Sequence, residues 1–309
     1  MGASQLRRLL IRMPERIILS VDAGATHCRL QFFAFRQDQL EALSPPTKFS
    51  WDFTSLAGCE EFRNAAVDTQ LGSSEQRAGQ QQIEQLSEHI TGQWAGLRSS
   101  QFSCILAWPG IKNAAADSVI RCANGPRIML LTQRLKAHLD ERLNPKADCI
   151  VYPLVSDGTM AGWGEWSHPQ GGFFQMDNGY LMMAGTGLAE AFLVDGQLLG
   201  RLDLGLPGAF DLHRGDRSYE QCLNGRAWSE DSAQELEDSL IDWLALRRQH
   251  FVDRQLDTPQ RLVLGGRASQ HRLNPSTLEN LKAQGWEAAF SQLQDPALWG
   301  AAYYVAKTS

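Results

Sequence analysis

Paired cysteines are missing from this chain. Its six cysteines, Cys28, Cys59, Cys104, Cys122, Cys149 and Cys222, never stand as C-x-C or C-x-x-C. That fits neither a disulfide framework nor a zinc site, so buried free thiols in a reducing compartment are expected. The histidines are scattered, from His27 and His89 through His138, His168, His213, His250 and His271, and none shows paired metal-ligand spacing. There is no G-x-x-x-x-G-K-[ST], so a phosphate site here would not be a P-loop. The absence of a G-x-S-x-G elbow weakens a hydrolase reading. No stretch approaches the roughly 20 apolar residues of a membrane span. Near the start, the apolar patch at residues 9–11 is broken by Arg12 and Pro14 and is too short for a signal segment. A basic excess is also absent. The 29 Lys and Arg face 35 Asp and Glu, the net charge is −6 and the pI is about 5.7, which argues against a nucleic-acid binder. These absences together describe a cytoplasmic protein with neither membrane nor nucleic acid among its partners, its residues 1–16 loosely docked.

What is present suits two domains with real cores: 309 residues, 43% of them hydrophobic and 21% charged. Nine tryptophans is a high count. Trp163, Trp166, Trp228 and Trp299 are expected mainly in core or domain-interface packing, and Trp108 stands at a strand end.

The most informative stretch is residues 17–33, IILSVDAGATHCRLQFF. Ile17, Ile18, Leu19 and Val21 form a continuous apolar run, as in a strand buried on both faces. Asp22 ends it. Ala23, Gly24, Ala25 and Thr26 carry little side chain, so backbone can approach a ligand closely. An extended pattern then resumes. A strand–turn–strand of this kind can hold a phosphate on backbone N–H groups and the Thr hydroxyl, with the Asp binding the accompanying metal. An ordinary hairpin with a small-residue turn reads the same way.

Farther along, residues 58–68 look helical, 71–76 read as a polar loop and 78–97 as an amphipathic helix through Ile83, Leu86, Ile90 and Trp94. Residues 102–108 are an apolar strand ending at Pro109-Gly110. A helix at 132–143 and a strand at 149–155 follow, the latter closed by Ser156-Asp157-Gly158 before a helix start at 159–166. Residues 180–183 run as a strand into Ala184-Gly185-Thr186-Gly187, and 189–194 return to the hairpin turn Asp195-Gly196. This second strand–turn–strand is chemically like the first. An irregular loop at 201–216 leads to helices at 218–224 and 231–251. A short strand at 262–264 ends in Gly265-Gly266, and residues 278–282 are weakly helical. The chain closes on a helix at 296–307 with Pro near N1.

In this order the pieces resemble the sugar kinases of the actin/hexokinase/Hsp70 superfamily, and most of all the ROK (repressor, open reading frame, kinase) family. The matching segments are VDAGATHCRL, LAWPGIKN, LVSDGTMAGWGEW, LMMAGTGLAEAFLVDGQLL, LVLGGRAS and PALWGAAYYV, spanning residues 17–306. The resemblance implies an α/β, two-domain actin-like (ribonuclease H-like) fold with an interdomain cleft. It divides the chain into residues 1–160 plus 291–309 and residues 161–290, with closure about a hinge. It also implies an ATP- and Mg²⁺-dependent kinase acting on a hydroxyl of a small sugar or cyclitol, and, by family habit, a homodimer.

Carried onto this chain, the resemblance makes Asp157 the general base and Asp22 the Mg²⁺ carboxylate. Gly24, Thr26, Gly185, Thr186 and Gly187 become the phosphate clamp, and Gly265 and Gly266 the adenosine-side turn. An Asp in the place of Asp157 also suits a helix N-cap. Asn124, Ser156, Asp211 and His213 are substrate-side candidates, and Arg127 beside Asn124 is another. The chain departs from the family in three ways. Ser156 stands where the family carries Asn. LPGAFDLH at residues 206–213 replaces the Gly-Glu-x-Gly-His that meets the sugar. The Cys-rich zinc loop is absent, so no structural zinc is expected. Transfer chemistry is therefore better marked than sugar identity, and a catalytically weak ligand-binding or regulatory protein is the alternative.

Overall fold

The computed structural model describes residues 16–55, 69–97, 99–143 and 147–308. The expectations for the segment before Arg16 and for a helix at 58–68 lie outside the described residues.

The apolar run at residues 17–21 becomes the centre of a sheet. β1 (Arg16–Ala23) turns back antiparallel into β2 (His27–Arg36), and on its other side runs parallel to β5 (Gln101–Trp108). β3 (Gln39–Ala42) and β4 (Thr47–Ser50) extend the β2 edge. β8 (Asp148–Val151) and β9 (Val155–Ser156) pair parallel with β5. The expected strand at 149–155 is thus two short strands. A small ladder of β6 (Ile111–Lys112) and β7 (Val119–Arg121), which the sequence did not advertise, stands beyond β5.

The second half repeats the plan. β10 (Gly179–Ala184) pairs antiparallel with β11 (Leu188–Val194), which pairs with β12 (Gln197–Leu199). On its other side β10 runs parallel to β15 (Arg261–Gly266), followed by β16 (Glu287–Phe290). The orders β3-β2-β1-β5-β8 and β12-β11-β10-β15-β16 are the same arrangement twice. The ladder of β13 (His213–Arg214) and β14 (Arg217–Ser218) lies between β12 and β15 in sequence.

Burial explains why both central strands are apolar on both faces. Leu19, Val21 and Phe32 pack on one side against α1 (Ser73–Trp94) and α2 (Leu131–Arg142), through Leu86, Ile90, Leu135 and Leu139. Tyr180, Met182 and Phe192 do the same against α6 (Ala233–Asp253), through Leu240, Trp243 and Leu244. The inner faces, with Ile18, Phe33 and Ile105 of one sheet and Leu181, Ala191 and Val263 of the other, close on a third core. Its filling is α3 (Asp157–Ser167) and α8 (Pro296–Thr308). Short helices α4 (Tyr219–Leu223) and α5 (Ala227–Glu230) precede α6, and α7 (Pro275–Ala283) precedes β16.

Two expectations shift. The polar loop at 71–76 is instead the start of α1, which begins at Ser73 after the extended Gly72. Its Ser, Glu and Gln composition hid the first turn. The weak helix at 278–282 is the middle of α7, which starts at Pro275 in the N1 position. The five described cysteines are free and buried. Among the described residues, no helix is long and apolar enough to cross a membrane.

α3 and α8 cross at glycines. A Cβ on Gly300 would stand 1.8 Å from the Met160 carbonyl oxygen, and one on Gly164 2.0 Å from that of Pro296. Both neighbours are backbone, so neither can swing aside. Gly300→Ala is expected to push the helices apart and lower stability by about 1–3 kcal/mol. A fall in Tm on thermal unfolding checks it, and an unchanged Tm would show that the two helices do not meet this closely.

Candidate active site

The turn after β1 is held by a tryptophan from outside the hairpin. Trp51 Nε1 donates to the Gly24 carbonyl at 2.8 Å, and Trp51 N donates to the Thr26 carbonyl at 3.2 Å. Across the chain, the turn after β10 is closed by Gly185 N on the Gly187 carbonyl at 2.9 Å, and Gly225 N holds the Gly185 carbonyl at 2.7 Å. The two turns face each other, with Thr26 Oγ1 3.3 Å from Thr186 Oγ1. Residues 160 positions apart in sequence thus meet at the ends of the two sheets.

β15 delivers Gly265 and Gly266 to the same end of the second sheet. They pair with Met183 and Ala184, the last residues before Gly185. Gly266 has φ +65°, and a Cβ there would lie 2.4 Å from the Ala184 carbonyl oxygen, so only glycine fits. Three small-residue turns therefore converge at the C-terminal ends of parallel strands.

Asp157 opens α3 beside the first turn. Ser156 pairs with Trp108 at the end of β5, and Ala107 before it neighbours Asp22. Ser156 Oγ accepts from Thr159 N at 3.4 Å and is the helix cap, so the Asp157 carboxylate is spared that duty. Ser156, a substrate-side candidate, has its hydroxyl engaged in the cap. Lys112 lies close by. Its Nζ donates to the carbonyls of Trp108 at 2.5 Å and Gly110 at 2.9 Å. Burial pulls its pKa down, and the nearby Asp157 carboxylate pushes it back up.

Asp22 is pushed up to about 6, chiefly by burial; Arg29 works against this and Asp157 adds to it. Arg29 Nη1 sits 3.1 Å from Asp22 Oδ2, and its Nε sits 3.2 Å from Asp295 Oδ1, just ahead of α8. Asp22, Asp157 and Asp295 thus stand as three carboxylates against the Arg29 guanidinium and the Lys112 ammonium. This excess of half-buried negative charge suits a hard divalent cation. Among the described residues no group of three or more ligating side chains is placed to hold a metal ion by itself.

Of the substrate-side candidates, Asn124 reaches the site. Its Nδ2 lies 3.3 Å from where a Gly187 Cβ would be, and its amide hydrogen-bonds Glu220. The Glu220 carboxyl carbon lies equally near, 3.3 Å from that Cβ position. The carboxylate also accepts from Leu188 N, and burial raises its pKa. Glu220, on α4, was not foreseen; its capping-box neighbourhood (Ser218 and Gln221) signalled only a helix start. Asp211 and His213 are exposed, and Asp211 Oδ2 accepts from Gly208 N at 3.0 Å. Arg127 is no surface candidate. It is 5% exposed and grips both oxygens of the buried Glu75 carboxylate, at 2.9 and 2.8 Å.

The duplicated sheet-and-hairpin plan is the two-domain fold of the actin-like ATPases. Solved structures share it along nearly the whole chain. An inorganic polyphosphate/ATP-glucomannokinase from Arthrobacter sp. strain KM superposes with a TM-score of 0.63 at 16% identity, covering 95% of this chain and 100% of that one. A ROK family glucokinase from Streptomyces griseus, in complex with glucose and AMPPNP, gives 0.56 at 16% identity over 93% and 98%. A ROK hexokinase from Thermus thermophilus gives 0.55 at 16% identity over 94% and 98%. No family model matches the sequence, and no curated protein matches it. At such identities the shared property is the fold.

Proposed function

We propose that the protein is an ATP- and Mg²⁺-dependent kinase of the ROK type that phosphorylates a hydroxyl of a small sugar or cyclitol. The observation that carries the reading is the meeting of the Thr26 and Thr186 turns, 3.3 Å apart at the hydroxyls, beside Asp157. Backbone N–H groups of two glycine-containing turns suit a triphosphate gripped from both lobes. The turn at Gly265 and Gly266 is where the nucleoside would pass along the backbone. Asp157 is the general base: it orients the acceptor hydroxyl toward the terminal phosphorus and takes its proton. Asn124 and Glu220 flank the second turn and offer hydrogen bonds to the acceptor's other hydroxyls. Asp22 would hold Mg²⁺, directly or through water, and the metal supplies neutralising charge to the phosphates.

The stretch at residues 206–213 supports a second reading, a ligand-binding or regulatory protein with feeble transfer. Leu206 and Ala209 are buried apolar residues, and the two with sugar-binding chemistry, Asp211 and His213, are exposed. A phosphotransfer assay with ATP and Mg²⁺ over a panel of hexoses, amino sugars and cyclitols separates the two. Acceptor-dependent ADP release on at least one compound is the expected result. Saturable binding without turnover across the panel would favour the second reading.

A further inference from the structure

Arg29 is in cross-strand register with Asp22 in the first hairpin. Such neighbours interact directly, but this pair has an unusual third member. The guanidinium reaches Asp22 Oδ2 with Nη1 at 3.1 Å and Asp295 Oδ1 with Nε at 3.2 Å. Both carboxylates are largely buried, 16% and 11% exposed, whereas the arginine is 35% exposed. Asp295 lies far away in sequence, and its carbonyl accepts from Leu298 N at 3.1 Å in the first turn of α8. One planar fork, rigid enough to address two carboxylates at once, therefore joins the hairpin carboxylate to the head of the crossing helix.

A divalent cation on Asp22 would meet the Arg29 guanidinium on the same carboxylate. Two positive charges that close repel in a half-buried setting, so each weakens the other's hold on Asp22. We propose that Arg29 is a positioning residue, a resident counter-cation that occupies Asp22 until metal arrives and then rests on Asp295. The inference rests on the kinase reading, since it takes Asp22 as the metal carboxylate. The division of Arg29 between its two partners then sets how much the metal adds to nucleotide affinity. Asp295 anchors the arginine away from the metal, and Asp22 draws it in.

The test is ADP binding by calorimetry to the full chain, with and without Mg²⁺, in wild type, Arg29→Met and Asp295→Asn. The ratio of the two affinities isolates the metal's contribution. Arg29→Met, which removes the competing charge, should raise the ratio about fivefold or more. Asp295→Asn, which frees the guanidinium to settle on Asp22, should lower it. A purely structural arginine would shift both affinities together and leave the ratio alone, and that outcome overturns the proposal. Should Arg29→Met not fold, Asp295→Asn decides alone, because the backbone contacts at the head of α8 do not use the side chain. If wild type binds ADP neither with nor without Mg²⁺, the kinase reading falls and takes this inference with it. If wild type binds Mg·ADP and neither variant moves the ratio, only the role of Arg29 falls.

Discussion

Asp157→Asn should lower acceptor phosphorylation by about 10³-fold, within the 10²–10⁴ range of a lost general base, yet leave the fold and Mg·ADP binding nearly intact. The expectation rests on what the carboxylate does not do. The N-cap of α3 is Ser156, whose Oγ accepts from Thr159 N, so amidation at position 157 breaks no cap. An acid in the first helical turn gains about 0.3–1 kcal/mol from the helix dipole. Asp157 also adds to the repulsion that raises the Asp22 pKa, so its neutralisation relieves part of that loss. Stability should therefore change little. Steady-state transfer, Tm and ADP calorimetry on the same preparation check all three points. Turnover near the wild-type rate would remove Asp157 from the chemistry. A large drop in Tm would show that the carboxylate serves the fold.

Those features of the site that are local were legible in the chain. Each phosphate-turn candidate is a hairpin of consecutive residues. The Asp195-Gly196 turn has positive φ at both residues, as the sequence pair requires. Arg29 was not legible in this sense, because its place opposite Asp22 depends on the Ala23–Cys28 closing pair, and a turn one residue shorter would set Cys28 there instead. Residues that reach the site from other elements were hidden. Glu220 comes from a one-turn helix over thirty positions after the turn it braces, and only packing brings it there. Lys112 went unmarked because two-residue strands carry no periodic signal. Arg127 misled for the opposite reason. An arginine beside Asn-Gly-Pro suggests an exposed ligand contact, but Glu75, from the first turn of α1, buries it. Since that turn was read as loop, its partner could not be seen. The metal carboxylate and the base were readable as residue types; their mutual distance is a property of the third core, built from both halves of the chain.

The largest loss of stability is expected on removing Arg247. It is fully buried with its partner Glu190 at 2.7 and 2.8 Å, and its guanidinium also lies 4.0 Å from the Trp243 ring centre. Tyr180 donates to Glu190 at 2.7 Å and accepts from Trp243 Nε1 at 2.9 Å, so four residues form one satisfied network. Arg247→Met strands a carboxylate in the core, and breaking such a pair from one side costs about 3–5 kcal/mol. Urea unfolding measures it. The double variant Glu190→Gln with Arg247→Met should recover much of the loss, because no uncompensated charge remains. Additive losses would mean that the pair is not coupled as the geometry requires. The effect should also reach the site. Arg247 Nη2 holds the Pro207 carbonyl at 2.8 Å, fixing the loop at residues 206–213. The Glu190 backbone packs on Gly158, where a Cβ would come within 2.7 Å of its carbonyl oxygen. Gly158 follows Asp157 directly. A core that relaxes at Glu190 must therefore move the first turn of α3, and acceptor KM should rise in the double variant even where its stability returns.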